Sequence, residues 1–271
     1  MTRKPFEQLT FADDFMFCKV MENETLCKTF LELLLTGKVG KITYLSSQNA
    51  VTTHSEAKSI RLDVLVKDET GKSYDIEMQV GNEHNLPKRM RYYQAALDVS
   101  FLDQGYSYQT LNDSYIIFIC LFDPIGSNRA VYSFENICIE DRSISLRDGT
   151  RKIILNANAF QQADNQELRG FLRYVVTGEV STEYTRRIDD MVRTIKVSEQ
   201  MRKEYRILPA VIMDAIDEGE ARGEARGKSL GLAEGSRQKA LETAKLMRMH
   251  NYPIAEVCEM TGLSKQEVEN A

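Results

Sequence analysis

Residues 11–35, FADDFMFCKVMENETLCKTFLELLL, repeat apolar side chains at helical spacing. Phe15, Phe17, Val20 and Met21 form one set, and Leu26, Phe30, Leu33 and Leu34 the next. Two helices are predicted. The period then changes: KITYLSS reads as a strand, SEAKS as a polar break, and RLDVLV and YDIEMQV as two strands joined by KDETGKS with Gly71. Pro87 suits the first turn of a helix through KRMRYYQAALDVSFLDQG, closed at Gly105. YIIFICLF is nearly all apolar, as strands buried on both faces are, and ends at Asp123 and Pro124. AVYSFENICI and RKIILNA, around the turn RDGT, predict two further strands. Helix, strands, helix and buried strand in that order specify an α/β sandwich.

From about residue 164 the pattern is helical. TRRIDDMVRTIKVSEQMRKEYRIL carries Ile188, Met191, Ile195, Val197 and Met201 as an amphipathic stripe. EGEARGEARGKSLGLAEGS then repeats Glu-Ala-Arg-Gly imperfectly. Each glycine weakens an isolated helix by roughly 1 kcal/mol but permits close helix approach. A semi-flexible spacer and a helical interaction segment are both consistent with it. IAEVCEMTGLSKQEV has the layout helix, Gly-centred turn, helix, with Ser264 as N-cap and Glu267 at N3. The organisation expected is a core over 1–195, a charged helical spacer over 196–235, and a small helix-turn-helix-like tail over 236–271.

Composition narrows the function classes. An apolar share of 42% and a charged share of 28% supply a globular core. No apolar run reaches membrane-spanning length, and MTRKPFEQLT lacks the apolar stretch of a secretory signal. Five scattered cysteines and three distant histidines argue for free thiols in a reducing cytoplasm and against a disulfide framework or a zinc centre. With a net charge of −5, any contact with nucleic acid must use a local basic patch.

The candidate chemistry lies in the hairpin of RLDVLV and YDIEMQV. With its turn near Thr70, opposed positions sum to about 140, so Asp63 faces Glu77. Leu62, Val64, Val66, Ile76 and Met78 take one face, and Asp63, Glu77 and Gln79 the other. Directly opposed carboxylates have Cβ atoms about 5 Å apart and repel. A solvated hairpin face tolerates such a pair; a divalent cation removes the repulsion. Mg²⁺ suits one or two carboxylates with retained waters and phosphate oxygens. The following helix brings Lys88, Arg89 and Arg91, cations suited to a polyanionic substrate, although a solvent-facing stripe would hold the same residues. Tyr92, Tyr93 and Gln94 read as core and flanking positions. Gln79 can orient water by hydrogen bonding but supplies neither charge nor a base.

In order and spacing, DDFMFCKVM, RLDVLVKDETGKSYDIEMQV, RMRYYQAALD followed by GYSY, VYSFENICIE, RDGTRKIILNA and YVVTGEV resemble the Rpn family of recombination-promoting nucleases and transposases, within the PD-(D/E)xK superfamily. The resemblance spans most of the chain. It implies a restriction-endonuclease-like mixed sheet flanked by helices, and a bacterial, cytoplasmic, divalent-metal-dependent DNA endonuclease linked to recombination, mobile elements or defence. Asp63 and Glu77 would match the metal ligands, with the backbone carbonyl of Met78, and Gln79 the lysine position. Leu62-Asp63 stands where the superfamily has Pro-Asp. Asp14 would match an extra acidic ligand of some relatives, or else serve its helix N-terminus. Mg²⁺ is the implied cofactor, with Mn²⁺ or Ca²⁺ as substitutes. DNA is the implied partner, and self-association through the C-terminal helices into a homodimer or larger oligomer is expected. The competing reading is a weakened or inactive nuclease fold that binds DNA or protein as a regulator. In the tail, Glu267 and Glu269 outnumber Lys265, which favours protein contacts over DNA.

Overall fold

The computed structural model describes residues 4–35, 39–51, 60–102, 105–207, 235, 238–250 and 252–270. Two compact units emerge, Met1–Lys203 and Glu204–Ala271. In the first, α1 (Asp14–Met21) and α2 (Glu24–Leu34) precede β1 (Ile42–Val51), β2 (Ile60–Asp68) and β3 (Ser73–Gln79). Helix α3 (Leu86–Phe101) leads to β4 (Ser114–Cys120), β5 (Val131–Phe134) and β6 (Thr150–Asn156), and α4 (Gln166–Thr177) and α5 (Glu183–Val197) follow. The six strands form one sheet in the order β1-β2-β3-β4-β6-β5. β1, β2 and β3 pair antiparallel, β3, β4 and β6 are parallel, and β5 closes one edge antiparallel to β6.

The β2–β3 ladder runs from Val64↔Ile76 to Lys67↔Ser73, so paired positions sum to 140. Helix α3 covers one face of the sheet. Its Leu86, Met90, Tyr93, Ala96 and Leu97 pack with Leu65, Ile116, Phe118, Cys120 and Ile154. The alternate residues, Val64, Val66, Ile76, Ile117, Ile119, Ile153 and Leu155, are buried too, so both faces are covered. Alternation assigns Leu62 to that second set, yet Ile60 and Leu62 join the α3 cluster. Below Val64 the ladder to β3 has ended, and strand twist carries the start of β2 round toward α3.

Helices α1 and α2 pack on β1 and β2, and α4 and α5 pack on α1 and α2. Aromatic contacts hold this layer: the Phe171 ring lies 5.0 Å from Phe30, 5.8 Å from Tyr184 and 5.9 Å from Phe11. The Tyr184 hydroxyl donates to the Leu26 carbonyl at 2.9 Å, tying α5 to α2. Asn165 caps α4 by accepting from the Glu167 and Leu168 N–H groups, and left-handed Gly178 ends that helix.

Several expected boundaries move. α3 ends at Phe101, before Gly105. The AVYSFENICI strand keeps only Val131–Phe134; beyond it only an isolated Ile137↔Ser145 bridge forms, and Ile139 is 87% exposed. The chain past Phe134 has left the partner strand β6, whose matching position is Lys152. On α5 the buried stripe is Tyr184, Thr185, Ile188, Val192 and Ile195, whereas Val197 is exposed at the helix end.

The second unit begins with helical residues 204–207 and then has 238–249, Ile254–Thr261 and Lys265–Asn270. Gly262 at φ 69° turns between the last two. Glu267 accepts from the Ser264 N–H at 2.9 Å and the Glu267 N–H reaches the Ser264 hydroxyl at 3.4 Å, a capping box. Ala244, Val257, Leu263 and Val268 form its small core. Apart from Gly235, the Glu-Ala-Arg-Gly segment over 218–236 lies outside the described residues. Among the described residues, no helix is long and apolar enough to cross a membrane.

Candidate active site

Where β2 and β3 diverge past Val64↔Ile76, side chains take over the bonding between them. The Asp63 N–H donates to Glu77 Oε1 at 2.8 Å, and the Met78 N–H donates to Asp63 Oδ2 at 3.0 Å. Each carboxylate thus satisfies a backbone donor of the neighbouring strand, and the two acids are fixed relative to one another. Glu77 is only 1% exposed, two residues before the end of β3, whereas Asp63 lines an open cleft. Asp75, Glu77 and Gln79 alternate along the same face of β3, and Asp75 is fully buried.

Arg89 reaches this face from α3. It donates to Glu77 Oε2 at 2.9 Å, to Gln79 Oε1 at 2.6 Å and, through Nε, to the Tyr93 hydroxyl at 2.9 Å. Its guanidinium carbon also lies 5.0 Å from the Tyr93 ring centre and 5.1 Å from that of Phe118. The remaining end of Gln79 donates to the Gly81 carbonyl at 2.7 Å.

Three carboxyl groups therefore gather around one guanidinium. Burial, then the charge of Glu77 and Asp63, pushes the Asp75 carboxyl well above the usual range. Burial and Asp63 push Glu77 up against the opposing pull of the Asp63 N–H and Arg89. Burial and Asp14 push Asp63 up, against the Met78 N–H, Arg61 and Arg89. The common cause is burial, to which the neighbouring carboxylates add. No donor among the described residues reaches either oxygen of Asp75. Burial and the neighbouring charges of Glu77 and Asp63 thus favour the neutral form of Asp75.

A second group of side chains meets Asp63 from α1. Asp14 pairs with Arg61 at 2.8 Å, and the buried Cys18 thiol donates to Asp14 Oδ1 at 3.6 Å and the Asp63 carbonyl at 3.5 Å. One ligand atom from each of Asp14, Cys18 and Asp63 falls within 4.8 Å of the others. Burial pushes the Cys18 thiol far up, and Asp14 and Asp63 add to that shift, so it remains protonated.

These surroundings accommodate a divalent cation. The donors are hard carboxylate oxygens, and each bonded oxygen keeps a further lone pair. Beside them lies a cleft of about 520 Å³ lined by Ile60, Arg61, Asp63, Glu83, Asn85, Lys88, Arg89, Tyr92 and Tyr93. Lys88 and Arg89 thus reach the cleft, while Arg91 is exposed on α3 and does not line it. Gln94 is buried at 6% exposure and bonds Ser114 and Asp98.

The sequence reading missed Asp75, which the alternation of YDIEMQV put beside Glu77. It also missed Cys18 and Arg61, for which no local signal existed.

A mixed sheet with helices on both faces and an acidic pair where two adjacent strands diverge defines a restriction-endonuclease-like fold of the PD-(D/E)xK type. The chain belongs to the PD-(D/E)XK nuclease family transposases, whose family model matches residues 11–211. Comparison with curated proteins and with solved structures returned no match.

Proposed function

We propose that this protein is a divalent-metal-dependent DNA endonuclease that hydrolyses phosphodiester bonds during recombination, element mobility or defence. The observation that carries the reading is the reciprocally bonded Asp63–Glu77 pair, whose Asp63 lines a cleft that also presents Arg61, Lys88 and Arg89. Asp63, Glu77 and the Met78 carbonyl would hold Mg²⁺ or Mn²⁺, with Asp14 as a further acidic ligand from α1. A bound divalent ion polarises a phosphodiester and lowers the pKa of a water. The protein's own contribution is positional. The reciprocal bonds from the Met78 and Asp63 N–H groups position both carboxylates. Lys88 and Arg61 face the cleft where phosphates would lie, and Tyr92 and Tyr93 line the same wall. Cutting both strands calls for two such sites, which a homodimer would supply.

One observation favours a second reading, a nuclease fold that binds DNA or protein without cutting. Both oxygens of Glu77 are already bonded inside the protein, and Gln79 is bonded at both ends. Supercoiled plasmid incubated with wild type and with Asp63→Ala, in Mg²⁺, Mn²⁺ or EDTA, separates the two. The expected result is metal-dependent nicking by wild type that falls at least about 100-fold in the variant. Equal activity in both proteins, or none in either, supports the binding protein.

A further inference from the structure

The family motif (D/E)XK carries a lysine two residues after its acid; here that position is Gln79. A site that gathers negative charge during phosphodiester cleavage needs a fixed cation, and glutamine supplies none. We propose that Arg89, reaching in from α3, supplies the positive charge that the motif otherwise carries on the strand, with Gln79 serving as the bracket that holds it there. This rests on the nuclease reading above and adds a named catalytic group to it.

The geometry argues for an exchange of roles between the two positions. Gln79 offers its oxygen to Arg89 at 2.6 Å while its amide nitrogen is tied to the Gly81 carbonyl at 2.7 Å. The amide is thereby oriented, acceptor toward the guanidinium. A lysine at position 79 would extend an ammonium toward the same guanidinium, so the site has room for one of the two cations. Arg89 is also aimed by three different groups, Glu77, Gln79 and the Tyr93 hydroxyl, and is flanked by the rings of Tyr93 and Phe118.

A buried carboxylate alone would need only a counter-ion. Arg89 does more than that role requires. Its side chain is 27% exposed, while its Glu77 partner is 1% exposed, and the exposed part lines the cleft that Asp63 lines. A guanidinium has more N–H donors than these three contacts use, and its planar fork matches two oxygens of one phosphate. Arg89 and Asp63 line the same cleft, so a phosphate bound beside Asp63 would share that space with the guanidinium. Arg61 and Lys88 share the cleft but differ in setting: Arg61 is paired with Asp14, whereas Arg89 bonds Glu77 and Gln79.

The test uses full-length protein, supercoiled plasmid and saturating enzyme in Mg²⁺, with binding of a fluorescent duplex measured separately in Ca²⁺. Arg89→Gln should slow the saturated cleavage rate by about 100-fold or more, as loss of a fixed charge-stabilising donor does. Duplex affinity should change by less than about threefold, because the charge acts on the transition state more than on ground-state binding. Gln79→Lys combined with Arg89→Gln should recover about tenfold or more of the lost rate by returning the cation to the strand. All proteins are compared well below their melting temperatures, so that a stability loss from unpairing Glu77 is read apart from the rate.

The assignment is overturned if Arg89→Gln cuts within about threefold of wild type, or if the folded double variant is no faster than the single one. Should Arg89→Gln fail to fold, the double variant decides: cleavage within about tenfold of wild type upholds the assignment, and absence of cleavage ends it. A wild type that cuts nothing defeats the nuclease reading and this assignment together, whereas an active wild type with an equally active Arg89→Gln defeats this assignment alone.

Discussion

Asp68, at the turn end of the same hairpin, shows what a fully bonded buried acid looks like. One oxygen accepts from the Thr70 N–H at 2.9 Å, the Thr70 hydroxyl at 2.6 Å and the Lys72 N–H at 3.1 Å; the other accepts from Tyr74 at 3.0 Å and Gly40 at 3.3 Å. Burial pushes its carboxyl up, but the hydrogen bonds from Thr70, Tyr74 and Gly40 outweigh it and hold it below the usual range. A folded pKa below the unfolded one means stabilisation that is complete above about pH 4 and fades as pH falls through the folded value. Asp68→Ala should therefore cost about 2 kcal/mol at pH 7, from donors left without an acceptor, and less near pH 3. Urea melts of both proteins at the two pH values check this; a cost independent of pH would refute it. Asp75 is the opposite case, a buried acid with no donor. At this scale, Asp63, Glu77 and Gln79 were legible because a strand alternates with period two. Asp75 obeys the same alternation, but its full burial was not legible, because aspartate is among the residues most often exposed. The inward turn of Arg89 was not legible. Its neighbours Lys88 and Arg91 carry the same charge on the same helix, and only packing against β3 separates them.

Helices α4 and α5 meet at a glycine. A Cβ on Gly170 would lie 2.3 Å from Thr182 Cγ2, and Thr182 is the N-cap of α5, locked in a capping box with Thr185. In an exposed helix, Gly→Ala gains about 1 kcal/mol. Here the added methyl meets a β-branched side chain that cannot rotate away without giving up the cap, so overpacking of about 1–3 kcal/mol should prevail. Gly170→Ala is expected to lower the melting temperature, and scanning calorimetry of the full chain decides it; a higher melting temperature would show that the helices separate freely. The long periodic elements were readable for a related reason: α1, α2 and β4 bury faces that their own sequences mark. Element ends were less so. The apolar run through Ile137 and Ile139 looks like strand, but a strand needs a partner, and pairing with β6 stops at Phe134 opposite Lys152. Val197 likewise fits the helical period of α5 yet lies past its last packed turn.

For the whole molecule, the α/β plan followed from the order of periodic segments, and the sheet order β1-β2-β3-β4-β6-β5 did not. The parallel β4–β6 pairing, with β5 displaced to the edge, depends on contacts remote in sequence. If the carboxylate cluster holds a cation as proposed, binding and stability are coupled. A cation that binds the folded chain alone shifts unfolding by mass action, by about 2.7 kcal/mol at a hundred times its dissociation constant. Saturating Mn²⁺ should raise the melting temperature of wild type, EDTA should reverse the rise, and Asp63→Ala should show neither change. An equal rise in the variant would locate the binding elsewhere.

The bond from Tyr184 to the Leu26 carbonyl joins residues 158 positions apart. Synthesis delivers α2 early and α5 late, while the two strands bearing Asp63 and Glu77 are nearly adjacent in the chain. The hairpin can therefore zip soon after it emerges. The helical layer carrying Asp14 and Cys18 lacks its closing partner until α5 has been made. The two sides of the site mature at different times, in an order imposed by connectivity alone.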